Sequence, residues 1–321
     1  MSEKKAWQLH RWGEKPYYSL DYYLKETFGQ KVYKIALETG MTCPNRDGTL
    51  GTKGCIFCSN GGSGDFATAA GGSVTEQIDS AIAFMKSRQK YTGNQYIAYF
   101  QSFSGTYAPL CRLRTLYVEA LRHPKVAALS IGTRPDCFSP SVYDLLEECS
   151  HWKPVWIELG LQTIHEHTAK FIRRGYSLPV FDKCVNELHK RGIPVIAHVI
   201  LGLPGESPED ILQTVDYLNC AKIQGIKFHL LHILKGTDLA DMLPALSIYT
   251  QEEYISVLLQ CIARLSPDIV IHRLTGDGPK ELLLAPDWSK NKRNVLNNIA
   301  HALKTQGICQ GIDYHDVKAK R

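Results

Sequence analysis

Several things are missing from this 321-residue chain, and each absence narrows the field. There is no run of roughly 18 or more apolar residues, so no membrane-spanning helix is expected. The opening stretch MSEKKAWQLHRWGEK carries charge, and no apolar segment follows it. It does not read as a secretory signal, and a cytoplasmic location is the expectation. No internal linker rich in Pro, Gly or Ser appears, and no low-complexity segment. Neither sign of charge dominates: 37 Lys and Arg against 32 Asp and Glu leave a net +5. That balance permits a polyanionic partner and does not demand one. The short basic patches at Lys290, Lys292 and Arg293 and at Lys318, Lys320 and Arg321 read first as solvated surface and tail.

What is present fits a globular chain with ample core. Hydrophobic content of 44% and charged content of 21% are ordinary for that class, and the length allows one large α/β barrel or two ordinary domains. An aromatic, polar stretch opens the chain with Trp7, Trp12, Tyr17, Tyr18, Tyr22 and Tyr23. It reads as an extension that packs onto the domain, although aromatics among Lys and His can also stack on nucleic acid.

From residue 31 a strand–helix rhythm begins. Strands are expected over 31–37, 95–101, 126–132, 155–161, 193–201, 226–233 and 268–272, from their β-branched and aromatic apolar runs. Helices are expected between them. One opens at the capping box Ser73–Glu76 and runs to about Lys90, and another opens at Thr250–Glu253. Pro140 and Pro208 occupy first helical positions behind Ser139 and Ser207. Alternation of this kind implies a parallel sheet with right-handed crossovers, and near-continuous apolar strands imply helices on both faces. The fold class expected is therefore α/β, a partial (β/α)6 TIM-like barrel. Its divisions are expected at 1–30 for an N-terminal extension, 31–275 for the barrel and 276–321 for a C-terminal extension packed on it.

In such barrels chemistry sits at the C-terminal strand ends. The residues there are distinctive: Gln101, Ser104 and Thr106; Thr133, Arg134 and Asp136; Glu158 and Gln162; His198; His229 and His232; His272 and Arg273. After the first strand comes CPNRDGTLGTKGCIFCSNGGSGD, residues 43–65, a glycine-rich loop carrying Cys43, Cys55 and Cys58. So many glycines disfavour helix and strand, and long loops inside compact domains are usually functional or disordered. Thiols at this spacing in a cytosolic chain point to metal or catalysis. The other seven cysteines, Cys111, Cys137, Cys149, Cys184, Cys220, Cys261 and Cys309, are scattered and read as buried small hydrophobes.

Three thiolates could hold zinc or an iron–sulfur cluster. A closed zinc site needs a fourth Cys or His, and the nearest histidines in sequence are His10 and His123. A four-iron cluster normally takes four cysteines, so three leave one iron open to a substrate or cofactor.

The blocks CPNRDGTLGTKGCIFCSNGG, AYFQSFSGTYAP, ELGLQT, IRRGY and HVILGLPGE make the sequence resemble the radical S-adenosylmethionine (SAM) enzymes. The likeness is closest to the branch typified by YhcC and YtqA, related to the radical-SAM domain of the elongator catalytic subunit. It covers about residues 31–311. The spacing of Cys43 and Cys55 departs from the commonest form of that motif, in which three residues separate the first two cysteines, and agrees with the longer form of this branch. The resemblance implies that Cys43, Cys55 and Cys58 ligate a [4Fe–4S] cluster, whose open iron chelates SAM. One electron then cleaves SAM to methionine and a 5′-deoxyadenosyl radical that abstracts hydrogen from substrate.

It also implies SAM contacts. Gln162 and Arg174 match a Gln and an Arg twelve residues later in related barrels, with Arg173 as an alternative. The loop Gln101–Ser104 stands where the methionine amino group is usually met, without the glycine-rich form of many relatives. Glu158 and His198 join this set by strand position, with a buried structural role as the alternative for each. The substrate implied is tRNA, at the 5-carboxymethylaminomethyl side chain of a wobble uridine, converted to the aminomethyl form. An electron donor such as flavodoxin or ferredoxin is implied as a partner. The alternatives are a radical SAM enzyme acting on a non-tRNA small molecule and, from other classes, a zinc-binding RNA module or an iron–sulfur redox sensor.

Overall fold

The computed structural model describes residues 11–38, 40–59, 61–62, 72–88 and 93–315. Trp7, His10, Gly64, Asp65, Lys90 and the basic tail Lys318, Lys320 and Arg321 lie outside them. In chain order the elements are α1 (Leu20–Phe28), β1 (Val32–Leu37), α2 (Val74–Ser87), β2 (Gln95–Phe100), α3 (Leu110–Arg122), β3 (Val126–Thr133), α4 (Pro140–Ser150), β4 (Val155–Gln162), α5 (Glu166–Phe171), α6 (Leu178–Lys190), β5 (Val195–Leu201), α7 (Pro208–Cys220), β6 (Gly225–Leu230), β7 (Ile233–Leu234), α8 (Asp238–Asp241), α9 (Gln251–Arg264), β8 (Val270–Arg273), β9 (Leu283–Ala285) and α10 (Lys292–Thr305).

The main sheet has seven strands in the order β1-β2-β3-β4-β5-β6-β8, and β7 pairs antiparallel with β9. The expected α/β partial barrel is borne out, with its strands in sequence order as βα crossovers require. The helix starts are those the sequence marks. Ser73 with Glu76, Ser207 with Asp210 and Thr250 with Glu253 each form a capping box, and Ser139 caps α4 ahead of Pro140.

The chain falls into two compact units. One contains residues 24–160 and 175–196. Here β1, β2, β3 and β4 are parallel, with Ile35 opposite Ala98, Ala98 opposite Leu129 and Ile131 opposite Ile157. Their core is apolar on both faces: Ile35, Ile97, Phe100, Leu129 and Ile157 are each buried. Glu158 is buried among them and takes an ion pair from Lys34 and a hydrogen bond of 2.7 Å from Ser130 Oγ.

The loop after β2 is fastened by Gly105, whose N–H donates to Gly132 O at 2.9 Å and whose carbonyl accepts from Tyr117 Oη at 2.5 Å. A Cβ there would lie 2.8 Å from Ile131 Cγ2 and 2.9 Å from the Gly132 oxygen. Gly105→Ala is expected to destabilise by about 1–3 kcal/mol, as overpacking does, readable as a lower urea midpoint at unchanged m-value.

The second unit contains residues 1–23, 161–174 and 197–321, of which 11–23, 161–174 and 197–315 are described. β6 and β8 are parallel, and α9 packs on α7 and α10. The opening stretch joins this unit: Ile271 N–H donates to Tyr18 O at 2.7 Å, and Gln310 Oε1 accepts from Tyr18 N–H at 2.8 Å. Trp12 is buried with its ring stacked on Tyr18, so its aromatic surface is spent on packing. Lys290 and Lys292 are paired with Asp287 and Asp277, which reduces the basic patch there to locally balanced surface. None of the ten cysteines forms a disulfide. Cys137, Cys149, Cys184, Cys261 and Cys309 are buried as expected, whereas Cys111 and Cys220 are exposed on the outer sides of α3 and α7.

Candidate active site

The cysteine loop follows β1 and builds its own scaffold from backbone bonds. Cys43 O accepts from Arg46 N–H at 2.8 Å, Asn45 O from Gly54 N–H at 2.8 Å, and Cys55 O from Cys58 N–H at 3.0 Å. Gly54 holds φ +73°, a conformation that favours glycine, and a Cβ there would lie 2.9 Å from Arg46 Nε. Arg46 explains the crowding. Its Nη2 donates to the carbonyls of Cys58 at 2.9 Å and Ser59 at 2.5 Å, so one guanidinium ties both ends of the loop.

The three thiols are half-buried and form no disulfide. Asn45 Nδ2 donates to Cys55 Sγ at 3.6 Å. Burial, with help from Cys58, pushes the Cys55 thiol up to about 12, against the opposing pull of Arg134 and Asn45. A coordinated metal removes such a proton outright. Burial works against the charge of Arg134, but Asp136 and the nearby Cys43 and Cys55 more than offset it. Arg134 forks onto Asp136 at 2.9 and 2.7 Å and lies over the Tyr176 ring at 5.2 Å. Gly175 makes room for this set: at φ +83°, its Cβ would fall 2.5 Å from Asn45 Oδ1 and 3.2 Å from Arg134 Nη2.

The loop after β2 abuts the cysteine loop. Phe103, at φ +54°, lies against Gly62 and beneath Arg46, and Ser104 N–H donates to Thr42 O at 3.3 Å. Ser102 and Ser104 are buried with hydroxyls that have no hydrogen-bond partner, although Ser104 faces the Cys137 thiol. Orphaned buried hydroxyls beside a thiol loop are sites for a polar ligand. Gln101, half-buried, begins the same loop.

The donor types here fit an iron–sulfur cluster, which thiolates hold. Among the described residues, no three His, Cys, Asp or Glu side chains converge on a point that one metal ion could occupy. Cys55 feels both Cys58 and Cys43 electrostatically. A cuboidal cluster takes one thiolate at each of three corners and so accepts ligands spaced wider than a zinc ion does. The chain's own donors thus suit [4Fe–4S], with Asn45 as a hydrogen-bond donor to one thiolate.

The other residues singled out by sequence are placed as follows. Glu158 lies within β4, engaged by Lys34 and Ser130. Gln162 ends β4 at φ +64° and is half-buried. Arg174 is buried, and its Nη1 donates to the carbonyls of Leu161 at 3.2 Å and Thr163 at 2.6 Å, while its Nη2 reaches Glu166 at 3.3 Å. Arg173 pairs with Asp238 at 2.5 Å. His198 is half-buried on β5 with its ring 5.0 Å from that of His229. Asn45 and Arg46 were not singled out by sequence. Their only signal is position, between the first and second cysteines.

Comparison with known proteins gives the family of this partial barrel and its three-thiol loop. The radical SAM superfamily description matches residues 33–218, and the radical SAM C-terminal domain description matches residues 223–305. YtqA of Bacillus subtilis is 42% identical over 302 residues, covering 93% of this chain and 92% of YtqA. The tRNA uridine(34) acetyltransferase of Methanocaldococcus jannaschii is 25% identical over 210 residues, 62% of this chain and 37% of that one. Among solved structures, the Elp3 of Methanocaldococcus infernus lacking its N-terminus shares the fold, with a TM-score of 0.66 at 16% identity over 87% of this chain and 64% of that chain. The chain belongs to the radical SAM superfamily and is a radical SAM enzyme of the branch that includes YtqA. Among the described residues, no helix is long and apolar enough to cross a membrane.

Proposed function

We propose that this enzyme uses its radical chemistry on tRNA, at the 5-carboxymethylaminomethyl side chain of a wobble uridine, to leave the aminomethyl form. The observation that carries the chemistry is the trio Cys43, Cys55 and Cys58 beside the orphaned hydroxyls of Ser102 and Ser104. The likeness to a tRNA uridine(34) enzyme supports the substrate. When bound, the cluster and SAM supply a primary carbon radical able to take hydrogen from an unactivated C–H bond.

The chain's own residues do the rest. Cys43, Cys55 and Cys58 hold the cluster, and Arg46 and Asn45 fix the loop that presents them. Ser102 and Ser104, following Gln101, offer hydroxyls to the polar end of SAM. Arg174 organises the turn after β4 through the carbonyls it binds, which sets the backbone that presents Gln162. A small electron carrier, flavodoxin or ferredoxin, supplies the electron.

Deleting the gene and profiling tRNA nucleosides by mass spectrometry tests the substrate. Carboxymethylaminomethyluridine is expected to accumulate and the aminomethyl form to fall to background. Unchanged wobble uridines would remove the tRNA reading and leave the radical SAM assignment standing.

A further inference from the structure

The second unit gathers basic side chains at its strand ends. Lys227 and His229 lie two apart on β6, and so on one face of it. Lys227 is opposite Arg273 of β8 in the sheet register. The ring of His198 on β5 lies 5.0 Å from that of His229, tilted by 40°, and His232 follows β6. The turn at Gly276 and Gly278 closes over the rings: a Cβ at Gly276 would lie 3.2 Å from His232 Cε1 and 3.7 Å from His229 Nδ1, and one at Gly278 would lie 3.4 Å from His232 Cγ.

Two features of this group are costly as they stand. Arg273 is half-buried and, among the described residues, forms no ion pair and no side-chain hydrogen bond. His229 and His232 are half-buried, yet each keeps its Nε2 shut from solvent with no hydrogen-bond partner. Asp277, the carboxylate closest in sequence to Arg273, is held by Lys292. Burial, and then His198, Arg273, Lys227 and His232, hold His229 well below the usual histidine range, and burial takes His232 to about 4 against the pull of Asp277. Both rings are therefore neutral at pH 7, each with one N–H to donate. Lys227, the second cation of this group, is engaged in an interaction of its own. The guanidinium and the two neutral donors offer a fork of the kind that binds a carboxylate bidentately.

We propose that Arg273, with His229 and His232, forms a subsite for a carboxylate of the substrate. Its identity as the carboxymethyl group of the wobble-uridine side chain rests on the function proposed above; the subsite itself does not.

Calorimetry on the reconstituted, SAM-loaded, unreduced enzyme tests this with three probes: 5-carboxymethylaminomethyluridine, its methyl ester, and N-methylglycine. The acid is expected to bind about tenfold or more tighter than the ester, as loss of a charge-assisted pair implies. Arg273→Gln should bring that ratio to about one, and Arg273→Lys, which keeps the charge but loses the fork, should leave an intermediate value. Equal binding of acid and ester by the wild type, or a ratio unchanged in both variants, overturns the subsite. If neither nucleoside binds, N-methylglycine decides, followed by the imidazole resonances of His229 and His232. Shifts in the wild type that Arg273→Lys weakens uphold the subsite and sink the wobble-uridine reading. No shift overturns the subsite as well.

Discussion

Lys34→Met is expected to destabilise the protein by about 3–5 kcal/mol, a large part of the stability of an ordinary domain. The Glu158 side chain has no solvent exposure and that of Lys34 only 18%, so this pair escapes the screening that makes surface salt bridges weak. Removing the ammonium leaves a carboxylate inside the sheet with Ser130 Oγ still donating to it but short of its counter-charge. The lysine also lies 4.8 Å from the Tyr99 ring centroid and 5.8 Å from that of Trp156, so a cation–π contribution goes with it. Replacing both partners, as Lys34→Met with Glu158→Leu, should recover most of the loss, because the desolvation cost disappears along with the attraction. Urea unfolding of the two single variants and the double variant measures the coupling directly. A single-variant cost below about 1 kcal/mol would mean that the pair behaves as a surface bridge.

Cys55→Ala is expected to have the largest functional effect. Two thiolates remain, and the half-buried position that Asn45 supports is left with a methyl group. Iron and sulfide bound after anaerobic reconstitution should fall sharply, and 5′-deoxyadenosine formation should fall to background. The fold should survive. The loop is held by Arg46 on the Cys58 and Ser59 carbonyls and by its own backbone bonds, none of which uses the Cys55 thiol. Stability of the metal-free protein should therefore change by less than about 1 kcal/mol. Full retention of SAM cleavage by this variant would contradict the assignment of the three cysteines.

These two predictions draw on different kinds of information. The thiol loop is legible in the chain because its chemistry is local: three cysteines, their spacing and the glycines around them lie within one short stretch. The strands and capped helices are legible for the same reason, since alternation and capping boxes are short-range patterns. The ion pair is not. Lys34 and Glu158 are 124 residues apart, and only the sheet brings β1 and β4 within reach of one another's side chains. Glu158 was placed by its strand position alone, and position cannot say whether a carboxylate is spent on a lysine.

Arg174 teaches the same lesson. Its spacing from Gln162 suggests a SAM carboxylate, yet its guanidinium is committed to Leu161 and Thr163 carbonyls. The left-handed Gln162 ends β4 there, and the carbonyls on either side of it need donors. The helix Leu20–Phe28 was missed because its tyrosines and charges read as an irregular extension. Seven strands were expected and the sheet has seven; the last, expected over 268–272, forms as β8, only four residues long. Gly175 explains itself only in three dimensions, where it clears space for Asn45 and Arg134.

The central claim is that Cys43, Cys55 and Cys58 hold a cluster that cleaves SAM. The direct measurement is metal and sulfide analysis of anaerobically purified protein, followed by reduction in the presence of SAM and quantification of 5′-deoxyadenosine. The account predicts about four irons and four sulfides per chain, as a cuboidal cluster requires, and 5′-deoxyadenosine that appears only on reduction. Zinc without iron or sulfide, or a full cluster that leaves SAM intact under reduction, would contradict it.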